Sequence, residues 1–466
     1  MCKISPIFKQ FLTIVSCNLL AFSFGNASGW ATINFIELQS ENSTFPSGPL
    51  TLQEASMVVA SVNLGGVAGN FAALPIIHKI GAKRSIHIFG VPFILGALLI
   101  IWAQNVYYLY IARILCGFGG GVLSVSVPSL VSDISHDKVR GALNSLTDPL
   151  CNTGIIVSFF LGNCLSWMDQ AKVQMITPVI AIIILFFLPE SPEYWTIRNK
   201  DKRAMEAHKF YKGSIAALEH GEFLQKQKEE KIEKGNVEKT NNETESEPKL
   251  CLRDFQTTQA KRAFFVAFTG LALCYCSGTI LILSYVTDIF SKTGSSLSPK
   301  DSSILISVTQ IAANLSFLNL VDRINRRTLL ICSSLLTIIS LFLYATYCLL
   351  WMNQPEYQGI SWVPTMCFAC ITYFSWIGQI PIPFIVMTEI FPKKIRQTSL
   401  ALAISLYWII LFVLGSIFPI FLEKFGPFLC LSTFGVICII HLVFSIVFLP
   451  ETRGKSYAEI MKIMSK

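Results

Sequence analysis

The sequence predicts an all-α membrane protein of twelve transmembrane helices in two pseudo-symmetric six-helix bundles. Three observations carry this. The 466 residues are 52% hydrophobic and 14% charged, against about 25% charged in soluble domains, and the mean hydropathy is +0.55. Apolar runs recur at lengths that let a helix cross about 30 Å of hydrocarbon. Three charged motifs also appear in the same order in both halves: HKIGAKRS and DRINRRTLL, SDISHDKVRGAL and TEIFPKKIRQTSL, PESPEYW and PETRGKSY. Their offsets of 244, 256 and 261 residues mark a duplicated unit, and parallel repeats about a central axis are how one large group of carriers is built.

The first six spans fall near residues 11–33, 55–77, 86–103, 106–131, 142–165 and 173–188. The other six fall near 263–286, 303–321, 328–351, 362–385, 398–422 and 427–449. The chain thus divides into an N-terminal bundle at 1–195, a loop at 196–262, a C-terminal bundle at 263–450 and a tail at 451–466. Lys3 and Lys9 before the first run resemble a secretory signal, but the run continues past any small-residue cleavage site and reads as a span. Within the loop, RNKDKRAMEAHKFYKGS has apolar residues at helical spacing and predicts an amphipathic helix under the membrane unit. The later EKGNVEKTNNETESEPK lacks apolar content and predicts disorder.

Lys and Arg set the orientation, because positive loops stay on the cytoplasmic side. With both termini inside, the outer loops hold only Lys172, Lys292, Lys300 and Lys424; Arg113 lies within a span, and the other 32 of 37 basic residues are cytoplasmic. The net charge of +8 is therefore a topology signal and gives no reason to expect a nucleic-acid partner. Asn42, in an NST sequon of the first outer loop, is an available glycosylation acceptor. Most of the 14 cysteines lie in apolar runs as small hydrophobes. Cys367 and Cys370 have CxxC spacing but no second pair and no nearby His, so neither a metal nor a cofactor is expected.

Within the repeats, Asp133 precedes Arg140 by seven residues and Glu389 precedes Arg396 by seven. Charges at helix ends are often simple anchors. The duplicated spacing suggests instead a network that forms in one conformation and breaks in another, biasing a two-state equilibrium.

The runs ARILCGFGGG, VRGAL, PESPEYW, SGTILILSY with DIF, LVDRINRRTLL, IPIPFIVMTEIFP and PETRGKS resemble the sugar porter family of the major facilitator superfamily. The branch they resemble is that of insect trehalose-transporter-like and facilitative hexose carriers. The resemblance implies a midplane substrate site between the bundles, alternating access, and salt bridges that lock the outward-facing state. It assigns those bridges to Lys83, Arg84, Asp133, Arg140 and Glu190, and to Asp322, Arg326, Arg327, Glu389, Arg396 and Glu451. His78 stands where the family has Asp, and Asn325 where it has Gly. The N-terminal lock should then be weaker or pH-dependent, since a protonated His carries the wrong sign.

A sugar site needs a partner for each hydroxyl taken from water, and here the chain departs from the family. Asp148 stands in place of the fifth-span Gln, Cys274 and Tyr275 replace a Gln pair, Ile280 replaces an Asn, Trp376 and Phe384 replace the tenth-span acid and Trp, and Tyr407 replaces the Asn before Trp408. Gln310 keeps a polar amide. Asp148, followed by Pro149, marks a substrate or ion path, pairs with Arg113, or faces water. Trp376, Phe384 and Trp408 line the cavity or pack against helices, and Gln379 and Asn314 line it or bond a neighbouring helix. The resemblance pairs Arg113 with a first-span acid in proton-coupled members; Ala27 occupies that position, so uniport is expected.

The leading expectation is a facilitative plasma-membrane carrier of a sugar, with the lipid bilayer and a small carbohydrate as its partners. A carrier of a cationic or more apolar solute and a non-transporting nutrient sensor are the alternatives. No nucleophile, base and orienting group occur together, so no enzyme is expected.

Overall fold

The computed structural model describes residues 5–144, 146–198, 200–213, 252–293, 298–321, 323–353, 362–392, 395–455 and 457–465. Among them every regular element is helical. Ten are long and apolar enough to cross a membrane. The last, Arg396–Phe448, is two spans joined at Gly426, whose φ of 76° and ψ of 166° break the helix without a loop; a left-handed φ is accessible to Gly at no steric cost. The twelfth is the fifth span in chain order, Thr147–Cys164, preceded by the short helix Asp137–Asn144. The twelve-helix architecture expected from the sequence is therefore present.

Spans one to six are Pro6–Ile33, Leu52–Ile80, Ala82–Ile101, Val106–Ile134, Thr147–Cys164 and Trp167–Phe187. Glycine lets their backbones touch. A Cβ on Gly65 or Gly117 would overlap a carbonyl oxygen of the facing helix, that of Ile114 or Val62, and close approach of this kind is how helices associate where lipid removes the hydrophobic drive. Large apolar side chains such as Phe186, Phe187, Leu343 and Val447 point outward, as a lipid-facing surface requires.

The C-terminal spans are less continuous. The seventh comprises Thr258–Cys276, then Thr279–Ser284 after Gly278 (φ 75°), then Val286–Thr293. The eighth is Pro299–Leu320 and the ninth Arg326–Asn353. The tenth has helices Val363–Phe374 and Pro381–Ile390 separated by a π-helical turn at Ser375–Gln379, a distortion frequent at functional sites.

The loop helix forms at Asp201–Tyr211 and buries Ala204, Ala207, His208 and Tyr211 at i, i+3, i+4, i+7 along one face; the alanines expected there are joined by His208 and Tyr211, while Met205 and Phe210 are half-buried. Gln10 of the first span donates to the Tyr211 carbonyl at 2.8 Å, and the Tyr211 hydroxyl donates to Pro189 O at 2.7 Å, so this helix is tied to the N-terminal bundle. Residues 233–249, where disorder was expected, fall among residues 214–251, which lie outside the described residues.

Candidate functional site

Interrupted spans bring polar groups and backbone ends to the middle of a membrane protein, which is tolerated only where they are enclosed by protein or line a cavity. Asp148 lies in the first turn of Thr147–Cys164, where the positive end of the helix dipole favours a carboxylate. It is open to solvent, yet protein surrounds the space it faces. Near it are the buried Tyr275 of the seventh span and the half-buried Tyr407 of the eleventh, both close enough to sense its charge. One acid of the N-terminal bundle thus lies near two tyrosines of the C-terminal bundle.

The aromatics form a continuous chain. Tyr275 lies 4.5 Å from Tyr407 and 6.0 Å from Phe384, ring centre to ring centre. Tyr407 lies 4.8 Å from Trp408, and Trp408 meets Phe24 of the first span edge-on at 6.0 Å. Trp408 is also packed on Gly66, where any Cβ would clash with the indole, and it leaves its Nε1 donor without a partner. Of the residues read from the sequence, Asp148, Phe384, Tyr407 and Trp408 are brought together. The sequence treated Tyr275 only as a lost amide.

The remaining amides sit apart. Gln310 and Asn314 are one turn apart on the eighth span, which packs against the fifth; both are buried, with Gln310 Oε1 and Asn314 Nδ2 unpartnered. Asn152, one turn beyond Asp148, leaves Nδ2 unpartnered as well. The i, i+4 relation to Asp148 would have found it in the sequence. Gln379 is enclosed in the C-terminal bundle, donating to Ser277 Oγ at 3.2 Å and Cys438 Sγ at 3.4 Å, the helix-bonding alternative. Trp376 is half-buried in the π-helical turn.

Arg113 is 2% exposed and donates to the backbone carbonyls of Val58 and Ala27. Among the described residues no carboxylate lies within salt-bridge distance of it, so Arg113 and Asp148 do not pair. Ala27 meets the guanidinium with its main chain.

Outside this centre the bundles touch on both sides. Thr287 Oγ1 donates to Thr32 O at 2.9 Å and Phe35 packs edge-on to Tyr285 at 5.3 Å. Lys300 Nζ reaches Gly162 O at 2.8 Å. Close by, Lys292 Nζ pairs with the Asp288 carboxylate at 3.1 Å. Toward the opposite side, Asn70 Nδ2 donates to Ala401 O and Ser405 Oγ, each at 2.7 Å.

The charged repeats are ordered differently from the expected salt bridges. The Glu190 carboxylate accepts from the backbone N–H of Lys83 at 2.9 Å and of Arg84 at 2.8 Å. Glu451 does the same in the other half, accepting from Arg326 N at 3.3 Å and Arg327 N at 3.0 Å. Each glutamate therefore caps the start of a third-position helix, satisfying donors that have no partner within that helix. Arg326 also pairs with Glu389 and donates to Thr452 Oγ1 at 3.1 Å, and Arg327 reaches Ile446 O. Asp133 instead lies beside Ser191 and a second acid, Glu193, while Arg84 stacks over Trp195 at 5.1 Å. Arg396 lies over Tyr457 at 5.6 Å. The Arg140 side chain and all of Asp322 lie outside the described residues.

The family model described as "Sugar (and other) transporter" matches residues 17–464. The chain belongs to that family. It is a membrane transporter and not an enzyme. A facilitated trehalose transporter of Polypedilum vanderplanki is 29% identical over 461 residues, covering 98% of this chain and 88% of its own length. A homologue of such a transporter in Drosophila sechellia is 28% identical, covering 99% and 92%. Among solved structures, the inward-open xylose transporter of E. coli superposes with a TM-score of 0.77 at 17% identity, covering 97% of this chain and 99% of that one. The same proton:xylose symporter bound to 6-bromo-6-deoxy-D-glucose gives 0.73 at 19% identity, covering 98% and 99%. These two establish the major facilitator fold of this sugar-transporter-family chain.

Proposed function

We propose that this chain carries a sugar across the membrane by facilitated diffusion, with the substrate held between the bundles at Asp148, Tyr275, Tyr407 and Phe384. The observation that carries the reading is the solvent-open Asp148 carboxylate near two tyrosines of the opposite bundle. A carboxylate accepts hydrogen bonds from sugar hydroxyls and aromatic rings cover the apolar faces of the ring. The trehalose carriers among its relatives support a sugar substrate. Gln310, Asn314 and Asn152 add unpartnered polar atoms on the fifth and eighth spans, which a polyol or water would satisfy. Arg113, whose bonds go to carbonyls and not to a titratable acid, supports uniport; coupling of protons through Asp148 is the alternative.

Transport proceeds by rocking of the bundles. Glu190 and Glu451 hold helix starts within each bundle, and Glu389, Arg396, Asp133 and Arg140 at the span ends exchange partners between states. The distribution of basic residues supports cytoplasmic termini, with the plasma membrane as the membrane crossed and the exposed Asn42 as the glycosylation acceptor.

Purified chain in proteoliposomes, supplied with labelled glucose or trehalose, tests this. Saturable flux that a pH gradient does not change is expected. Loss of the Asp148 carboxylate in Asp148→Ala removes charge-assisted hydrogen bonds of about 2 kcal/mol, or roughly 30-fold in KM. No saturable flux of either sugar overturns the reading, and binding of sugar without flux makes the chain a sensor.

A further inference from the structure

On the membrane side that carries both termini, cations gather around two aromatic rings between the second and sixth spans. Arg84 lies 5.9 Å from the Tyr194 ring centre and 5.1 Å from that of Trp195. Arg198 lies over Tyr194 at 5.1 Å, and Lys200 and Arg203 over Trp195 at 5.5 and 4.9 Å. Lys79, at the end of the second span, gives its carbonyl to Arg198 Nη2 at 2.6 Å. Lys200, Asp201, Lys202 and Arg203 line an open cleft of about 440 Å³. Lys79, Arg84, Arg198, Lys200, Lys202 and Arg203 are all exposed; the acids near them are Glu193 and Asp201, with Glu190 bonded to the Arg84 backbone and Asp133 beside Glu193.

We infer that this cluster binds the phosphate of anionic lipid headgroups in the adjacent leaflet. Stacking on an aromatic face fixes a guanidinium plane and leaves its N–H edge pointing outward, the geometry that grips phosphate. Six exposed cations outnumber the acids near them, Glu193, Asp201, Glu190 and Asp133, and Glu190 is already committed to backbone donors, so an anion relieves the remaining repulsion. The setting is interfacial: Ile197, 79% exposed, protrudes beside Arg198, and Phe186 and Phe187, 70% and 78% exposed, mark the lipid-facing side of the sixth span that leads into it. Clusters of this size next to a span attract anionic lipids at about 1 kcal/mol per charge. The glutamate caps explain why the cations are available: Glu190 spends its carboxylate on the backbone of Lys83 and Arg84 and leaves the Arg84 side chain uncommitted to it.

The test is retention of phosphatidylserine by the full chain in phosphatidylcholine nanodiscs doped with it, read by native mass spectrometry. A variant with Lys200→Gln, Lys202→Gln and Arg203→Gln should retain more than tenfold less phosphatidylserine, at roughly fivefold per charge removed, with an unchanged melting temperature. A control with Lys261→Gln, Lys455→Gln and Lys462→Gln removes the same charge from exposed positions on the same side, and should retain as much as the unaltered chain. Equal loss in both variants, or no loss in the first, overturns the site. Displacement of the lipid by equimolar glycerophosphoserine also overturns it, since the site would then be one for a free phosphate ester.

Discussion

The two copies of the cytoplasmic motif share one interaction and differ in another. Glu190 and Glu451 cap equivalent helix starts with the same pair of backbone bonds. The acid at the end of the fourth span and its counterpart in the tenth do not behave alike. Glu389 pairs with Arg326 of its own bundle, whereas Asp133 lies against Glu193, and Arg84, the second residue of the capped pair in that half, is turned onto Trp195. What the duplication preserves is a main-chain cap, which depends on helix position and one carboxylate. The ion pair depends on side chains that each copy has changed separately, and an acid beside an acid is repulsive when both are charged.

Removing the caps should have the largest effect. Glu190→Ala and Glu451→Ala each delete three bonds from backbone N–H groups, two of them at a helix start, about 3 kcal/mol for each residue, and should lower the melting temperature of detergent-solubilised protein by similar amounts. A silent Glu190→Ala beside a damaging Glu451→Ala would end the equivalence. Next come the acids that differ. Glu389→Gln should cost about 1 kcal/mol and raise labelling of engineered cysteines at the ends of the ninth and tenth spans; Asp133→Asn removes a repulsion and should leave melting unchanged or raise it. The same sign for both would restore the symmetry of the pairs. The smallest effect belongs to Asn325→Gly, which deletes a 3.4 Å contact to Arg453 while Arg453 keeps its bond to Arg323 O at 2.8 Å; a shift below about 0.5 kcal/mol is expected in chemical denaturation.

The spans were legible because a run of about 20 apolar residues admits few other fates, and the loop helix because its apolar stripe has helical period. The interruptions were not. The fifth span read as continuous from residue 142, yet Asn144 ends one helix and Thr147 begins the next, and nothing local in SWIGQ announces a π-helical turn. Such breaks are set by what packs against them, as where Phe434 fills the space beside Gly278. Asp148 was visible because an acid in an apolar run is costly. Tyr275 was not, since a tyrosine among apolar residues looks the same whether it faces a cavity or a neighbouring helix. Glu190 and Glu451 were found by their repetition, but their partners were misread: backbone donors leave no trace in a pattern of side chains.

Gly426 joins the eleventh and twelfth spans with no intervening loop. A joint without slack passes displacement straight through, so any tilt of the helix that carries Tyr407 and Trp408 pulls on the helix that carries Cys438 and His441. Cys438 in turn accepts from Gln379 in the tenth span. A substrate that shifts the eleventh span thus has a mechanical route to the tenth, through a hinge one residue long.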